Sequence, residues 1–181
     1  MDVFTFFSTH NPNLSLPGRT AAVNFILTQD VPARNFMDVM YRVDEKRKIF
    51  CYHVLDMTVE KHPYYLNESL DFFIENALSE THESLKRCIS RTLYHQLKSK
   101  EHTYSTVHKQ QIVATMFDWI ITDSWVATRV NAIHALYFLV GEEDWIQEQL
   151  VAVIEQYLPL QEPSFVSRGK KILKLLNKRK S

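Results

Sequence analysis

The sequence predicts an all-α fold of about five antiparallel helix pairs, organised as a single domain over residues 1–181. Three observations predict it. Apolar residues recur at three- and four-residue spacings along nearly the whole chain, and no stretch alternates with the period of two that a half-buried strand requires. Three glycines and six prolines in 181 residues are too few turn formers for a many-stranded sheet. The helical segments also come in pairs, which points to an internal repeat.

The elements follow in order. A short helix is expected near residues 2–8, and a fuller one from Pro17 to Gln29. Residues 36–43 place Phe36, Met37, Met40 and Val43 at helical spacing. Residues 45–61 carry Ile49, His53, Val54 and Met57 on one stripe. Pro63 suits the first turn of a helix in which Leu66, Leu70, Phe73 and Ala77 repeat. Residues 82–98 carry Leu85, Ile89, Leu93 and Leu97, and residues 106–121 carry Val113, Met116, Phe117 and Ile120. The helix over 124–140 is apolar on more than one face: Val126, Val130, Ile133, Tyr137 and Val140 form one stripe, with Ala132, Leu136 and Leu139 beside it. Gly141 is placed to end it as a C-cap residue. Trp145–Leu158 and Pro163–Leu176 complete the series, with Phe165, Gly169, Ile172 and Leu176 aligned on the last.

A helix that is oily on several faces must have neighbours on several sides, so 124–140 reads as the inner member of its pair. The entrances of the second helices set the repeat: Asn13, Asp44, Thr81, Asp123 and Glu162, separated by 31, 37, 42 and 39 residues. Six residues beyond each stand Arg19, Phe50, Arg87, Arg129 and Arg168, and only Phe50 departs from arginine. An acidic or capping residue followed by arginine at the sixth position, opening the second helix of a unit of roughly 40 residues, resembles the HEAT repeat. The stretch from "MFDWIITDSWVATRV" to "SFVSRGKKILKLL" is similar to a family of short bacterial HEAT-like proteins. Some of that family carry the label adenylosuccinate lyase. This chain is far shorter than such an enzyme and lacks its serine- and glycine-rich loop, having only Gly18, Gly141 and Gly169. The resemblance implies a HEAT/armadillo-like solenoid, an α-α superhelix whose curved surface binds a partner. It also implies a structural ladder in which Asp123, Arg129, Glu162, Arg168, Arg87 and Arg19 tie successive entrances together.

Chemistry is scarce. Hydrophobic residues make up 45% of the chain, enough for a packed core, and Lys+Arg equals Asp+Glu at 21 each. The balanced charge gives no global attraction to nucleic acid or to acidic membranes. Cys51 and Cys88 lie in apolar helical patterns and read as reduced, buried thiols. The opening "MDVFTFFSTHNP" has neither the basic region nor the apolar length of a signal peptide, and no run is long enough to span a bilayer. A soluble, cytoplasmic protein is the expectation. Eight histidines form no HExxH or other metal-ligand spacing, and no Ser/His/Asp or Cys/His arrangement has a catalytic spacing. His53 and His134 read as core or groove histidines, and Glu142–Asp144 as an acidic run favouring the next helix's N-terminus.

The expectation is therefore a non-catalytic protein-interaction module with no metal, cofactor, small-molecule substrate or membrane partner. Candidate partner-binding residues are Lys170, Lys171, Lys174 and Lys178, a cationic stripe on the last helix beside inward-facing Ile172, Leu173 and Leu176, together with Trp119 and Trp125. The alternative is a nucleic-acid-binding or DNA alkylation repair protein of glycosylase type. In that reading Trp119, Asp123 and Arg129 form a cleft resembling those of HEAT-like glycosylases.

Overall fold

A computed structural model describes residues 2–9, 12–100, 102–122, 124–160 and 162–179. All regular structure among them is helical, and no strand occurs. The chain divides into two compact units, Met1–Glu80 and Thr81–Ser181.

The first unit contains α1 (Val3–Thr9), α2 (Leu16–Thr28), α3 (Ala33–Met40), α4 (Glu45–Lys61), a 3-10 segment (Pro63–Ser69) and α5 (Leu70–Ala77). Pro63 does start a helix, but its first seven residues take the tighter 3-10 form before the α geometry begins at Leu70. The start of α2 is capped by Ser15, whose Oγ accepts the Gly18 N–H at 3.2 Å. Gly18 is required there, because a Cβ would stand 2.5 Å from the Asn13 carbonyl oxygen. α4 is capped by Asp44, which accepts the Arg47 N–H at 3.1 Å. The core is aromatic: Phe6 stacks on Phe25 at 4.0 Å, and Phe7 packs against both Phe36 and Phe50. Phe50, the one departure from the arginine series, is buried in that cluster.

The second unit contains α6 (Glu83–Ser99), α7 (Thr106–Ile121), α8 (Val126–Leu139), α9 (Asp144–Tyr157), a 3-10 turn (Leu158–Leu160) and α10 (Pro163–Arg179). His82 Nδ1 caps α6 by accepting the Ser84 N–H at 3.1 Å, and Ser105 caps α7 through the His108 N–H at 3.1 Å. α8 packs most extensively on α6, then on α7 and α10, and also meets α9. Thr128, Ala132, Ile133, Ala135, Leu136 and Leu139 are buried along it, whereas Val126, Val130 and Tyr137 of the other expected stripe are only half-buried. α9 lies against α10, where Gly169 allows close approach: a Cβ there would stand 2.9 Å from Ile154 Cγ2.

Several local expectations need correction. Gly141 is not a left-handed C-cap, since no glycine has positive φ; the chain instead turns through a Glu142 N–H to Leu139 C=O bond of 3.0 Å. Ser15 and His82, not Asn13 and Thr81, cap their helices. Leu173 is only half-buried, whereas Ile172 and Leu176 face inward. Cys51 and Cys88 are buried and neither forms a disulfide, and burial raises the Cys51 thiol pKa far above its ordinary value.

Candidate anion-binding groove on α6, α8 and α10

The second unit has an inner layer, α6–α8–α10, in which α8 touches both neighbours, and a second layer in which α7 meets α9. Glu83, the first residue of α6, fixes the entrance of α8. Its carboxylate accepts the Trp125 backbone N–H at 2.8 Å and the Ser124 hydroxyl at 3.3 Å, and Lys86 Nζ lies 3.0 Å away. α8 has no side-chain cap of its own, so Glu83 satisfies a donor at its N-terminus and complements its dipole. Burial pushes the Glu83 carboxyl pKa up, but the bonds from Trp125, Lys86 and Ser124 together bring it below the usual value. One turn along α6, the Arg87 carbonyl accepts from Asn131 Nδ2 at 3.3 Å, a second tie between α6 and α8.

Charge is segregated between these layers. α6, α8 and α10 carry Lys86, Arg87, Arg91, Lys98, Arg129, Arg168, Lys170, Lys171, Lys174, Lys178 and Arg179, and Glu83 is their one acid. α7 and α9 carry Asp118, Asp144, Glu148 and Glu155 against the single base Lys109. The zero net charge of the chain conceals a cationic inner layer.

That layer holds two adjoining recesses. The larger, of about 520 Å³, is walled by Arg87 and Arg91 from α6, Asn131 from α8, and Ser164, Ser167 and Arg168 from α10. The smaller, of about 130 Å³, lies between Tyr94, His134, Tyr137, Phe138, Ile172 and Leu175, with Arg168 and Lys171 at its edge. Arg168 borders both. Tyr94 lies 5.2 Å from His134 and 6.0 Å from Phe138, ring to ring. Cations cover two of the rings, Lys98 over Tyr94 at 5.8 Å and Arg179 over Tyr137 at 5.3 Å. His134 has its pKa pushed down to about 4 by burial, with the Arg168 and Lys171 charges adding to the effect, so it is neutral at physiological pH.

The structure distributes the sequence-predicted residues unevenly. Arg87 and Arg168 meet in the larger recess. Arg19 and Arg129 are half-buried elsewhere, each with a buried Nε that lacks a hydrogen-bond partner among the described residues. Among the described residues, no ion pair joins Arg19, Arg87, Arg129 or Arg168 to an acid, Glu162 included. Asp123 lies outside the described residues. The observed tie between successive entrances is Glu83 to Trp125. The lysine stripe splits: Lys170, Lys174 and Lys178 share a shallow groove with Leu173 and Asn177, while Lys171 turns to the Arg168 side. Steps of four residues keep the first three on one face, and Lys171 is rotated about 100° from Lys170. Trp119 is only 3% exposed, with Lys86 Nζ 6.0 Å from its ring centre, and is a core residue rather than a presented one. Trp125 is exposed.

Sequence reasoning missed Glu83, Arg91, Tyr94, Ser164 and Ser167. A charge tally taken helix by helix would have found the groove, since 84–99, 126–139 and 163–179 contain no acid. Among the described residues, no group of three or more His, Cys, Asp or Glu is placed to hold a metal. No described helix is long and apolar enough to cross a membrane. No family model, curated protein or solved structure matches the chain.

Proposed function

We propose that the protein is a non-catalytic binding module of HEAT-like, helical-repeat type, and that the α6–α8–α10 layer receives an acidic segment of a protein partner. The observation that carries the reading is the charge segregation between layers: eleven basic residues and one acid on three adjacent helices, in a chain of zero net charge. Such a face attracts a polyanion locally where the whole molecule does not. The packing of α8 between α6 and α10, with α7 and α9 alongside, supports the repeat reading, as does the Glu83 tie.

Fluorescence anisotropy with labelled poly-glutamate and with a twenty-nucleotide oligo(dT) tests the proposal at 50 and 200 mM salt. Poly-glutamate should bind, weaken with salt, and be lost on Arg87→Glu with Lys171→Glu. The nucleic-acid reading gains from the tyrosines set among these cations. Preferential binding of oligo(dT) with a steep salt slope would favour it. Binding of neither probe would defeat the proposed face.

A further inference from the structure

We infer that the recess walled by Arg87, Arg91 and Arg168 is a phosphate site, and that its occupant is a phosphorylated serine or threonine in the partner protein. The inference rests on the binding-module reading and adds the chemistry of the partner. Three guanidinium side chains from two helices line one opening, and Asn131, Ser164 and Ser167 add neutral donors beside them. Among the described residues that form it, none is a carboxylate. Arginine binds phosphate through two parallel N–H donors, a geometry lysine lacks. A single Asp or Glu offers one charge and two oxygens to this set. A phosphomonoester offers up to two charges and three oxygens, which matches the two exposed guanidinium groups, Arg87 and Arg168, better than a carboxylate does.

A nucleic-acid strand fits less well. It requires a row of cations tracking the backbone and open ring faces for stacking. Here the arginines line a single recess, and Lys170, Lys174 and Lys178 line another groove. The neighbouring rings are engaged with one another, and Lys98 and Arg179 lie over two of them. What remains between them, about 130 Å³, suits one apolar side chain.

The spacing of the two recesses sets a motif. On α8, Asn131 lines the larger and Phe138 the smaller; on α10 the corresponding residues are Arg168 and Leu175. Seven helical residues span about 10 Å, and three extended residues cover about the same length. The bound segment therefore carries its phosphoresidue about three positions from an apolar residue.

The probes are labelled degenerate peptides with phosphoserine fixed at one position and leucine three residues later, at 150 mM salt. Matched pools carry Ser or Glu in place of phosphoserine, and oligo(dT) serves as the nucleic-acid probe. The phosphoserine pool should bind at least about tenfold more tightly than the Glu pool, since added charge-assisted bonds of this kind shift affinity by that order. Arg87→Gln and Arg168→Gln should each remove about tenfold of that affinity with no change in melting temperature, because both side chains are exposed. Replacing the leucine by Asp should weaken binding as well. Equal binding of the Glu and phosphoserine pools would overturn the phosphate site and leave the acidic-partner reading standing. Tighter binding of oligo(dT), lost in the same variants, would overturn both. Binding of no probe would overturn the phosphate site.

Discussion

Removing the Glu83 carboxylate tests how α6 and α8 are held together. In Glu83→Ala the Trp125 N–H at the start of α8 loses its 2.8 Å charged acceptor, the nearly buried Ser124 hydroxyl loses its 3.3 Å contact, and Lys86 loses its ion pair. A hydrogen bond to a charged group contributes about 1.5–3 kcal/mol, and the partly exposed Lys86 pair adds only a few tenths. A loss of about 2–3 kcal/mol is expected. Glu83→Gln keeps a neutral acceptor and should lose about 1 kcal/mol, the net value of an ordinary hydrogen bond. Urea unfolding followed by tryptophan fluorescence suits the measurement, because Trp119, Trp125 and Trp145 all lie in the second unit. The Glu83 pKa is depressed on folding, so its contribution is present above the unfolded carboxyl's pKa and is lost as pH falls through the lower folded value. Wild type should therefore lose more stability than Glu83→Gln on acidification below about pH 4.5, the ordinary Glu value. A loss under about 0.5 kcal/mol in Glu83→Ala, no more than an ordinary surface substitution, would refute the assignment of Glu83 as the cap of α8.

Four further outcomes are expected. Leu136→Ala, at a fully buried position on α8, should cost about 2–5 kcal/mol in the same urea assay. Phe50→Arg, which extends the arginine spacing seen at residues 19, 87, 129 and 168, should abolish the cooperative thermal transition of the first unit by placing a charge in the Phe7–Phe36–Phe50 core. His134 binds its proton less readily folded than unfolded, so stability should fall as pH drops from about 6.5 towards 4, and His134→Gln should flatten that slope. Arg168→Gln should raise the His134 pKa, followed by imidazole NMR shifts, because it removes one of the cations opposing protonation.

The helices were legible because their signal is local and periodic. The 45–61 and 106–121 boundaries match those of α4 and α7, and both begin after a side-chain cap visible in the chain, Asp44 and Ser105. Gly141 misled because glycine permits a left-handed cap without requiring one, and Val140 ends α8 with right-handed geometry. The groove was legible in part. Arg87 and Arg168 stood out through their repeat spacing, and Lys171 through its basic run, but the spacing suggested a ladder rather than a shared opening. Glu83 was hidden because its partners are 41 and 42 residues away, beyond any local pattern. Lys171 was grouped with Lys170, Lys174 and Lys178 by proximity in sequence, although one helical step carries it around the cylinder.

The division of charge between layers makes the second unit an electric dipole, with its positive pole on α6, α8 and α10 and its negative pole on α7 and α9. Over residues 81–181 there are 14 Lys and Arg against 10 Asp and Glu, so a net positive charge, which draws a polyanion at longer range, accompanies the dipole. Within about one Debye length, roughly 10 Å at 0.1 M salt, the dipole exerts a torque that turns the groove towards an approaching anion. Encounters beginning on the acidic side are repelled or reoriented rather than merely unproductive. Association should thus be faster than for a neutral surface of equal area, and stopped-flow rates should fall with added salt although the protein's net charge is zero.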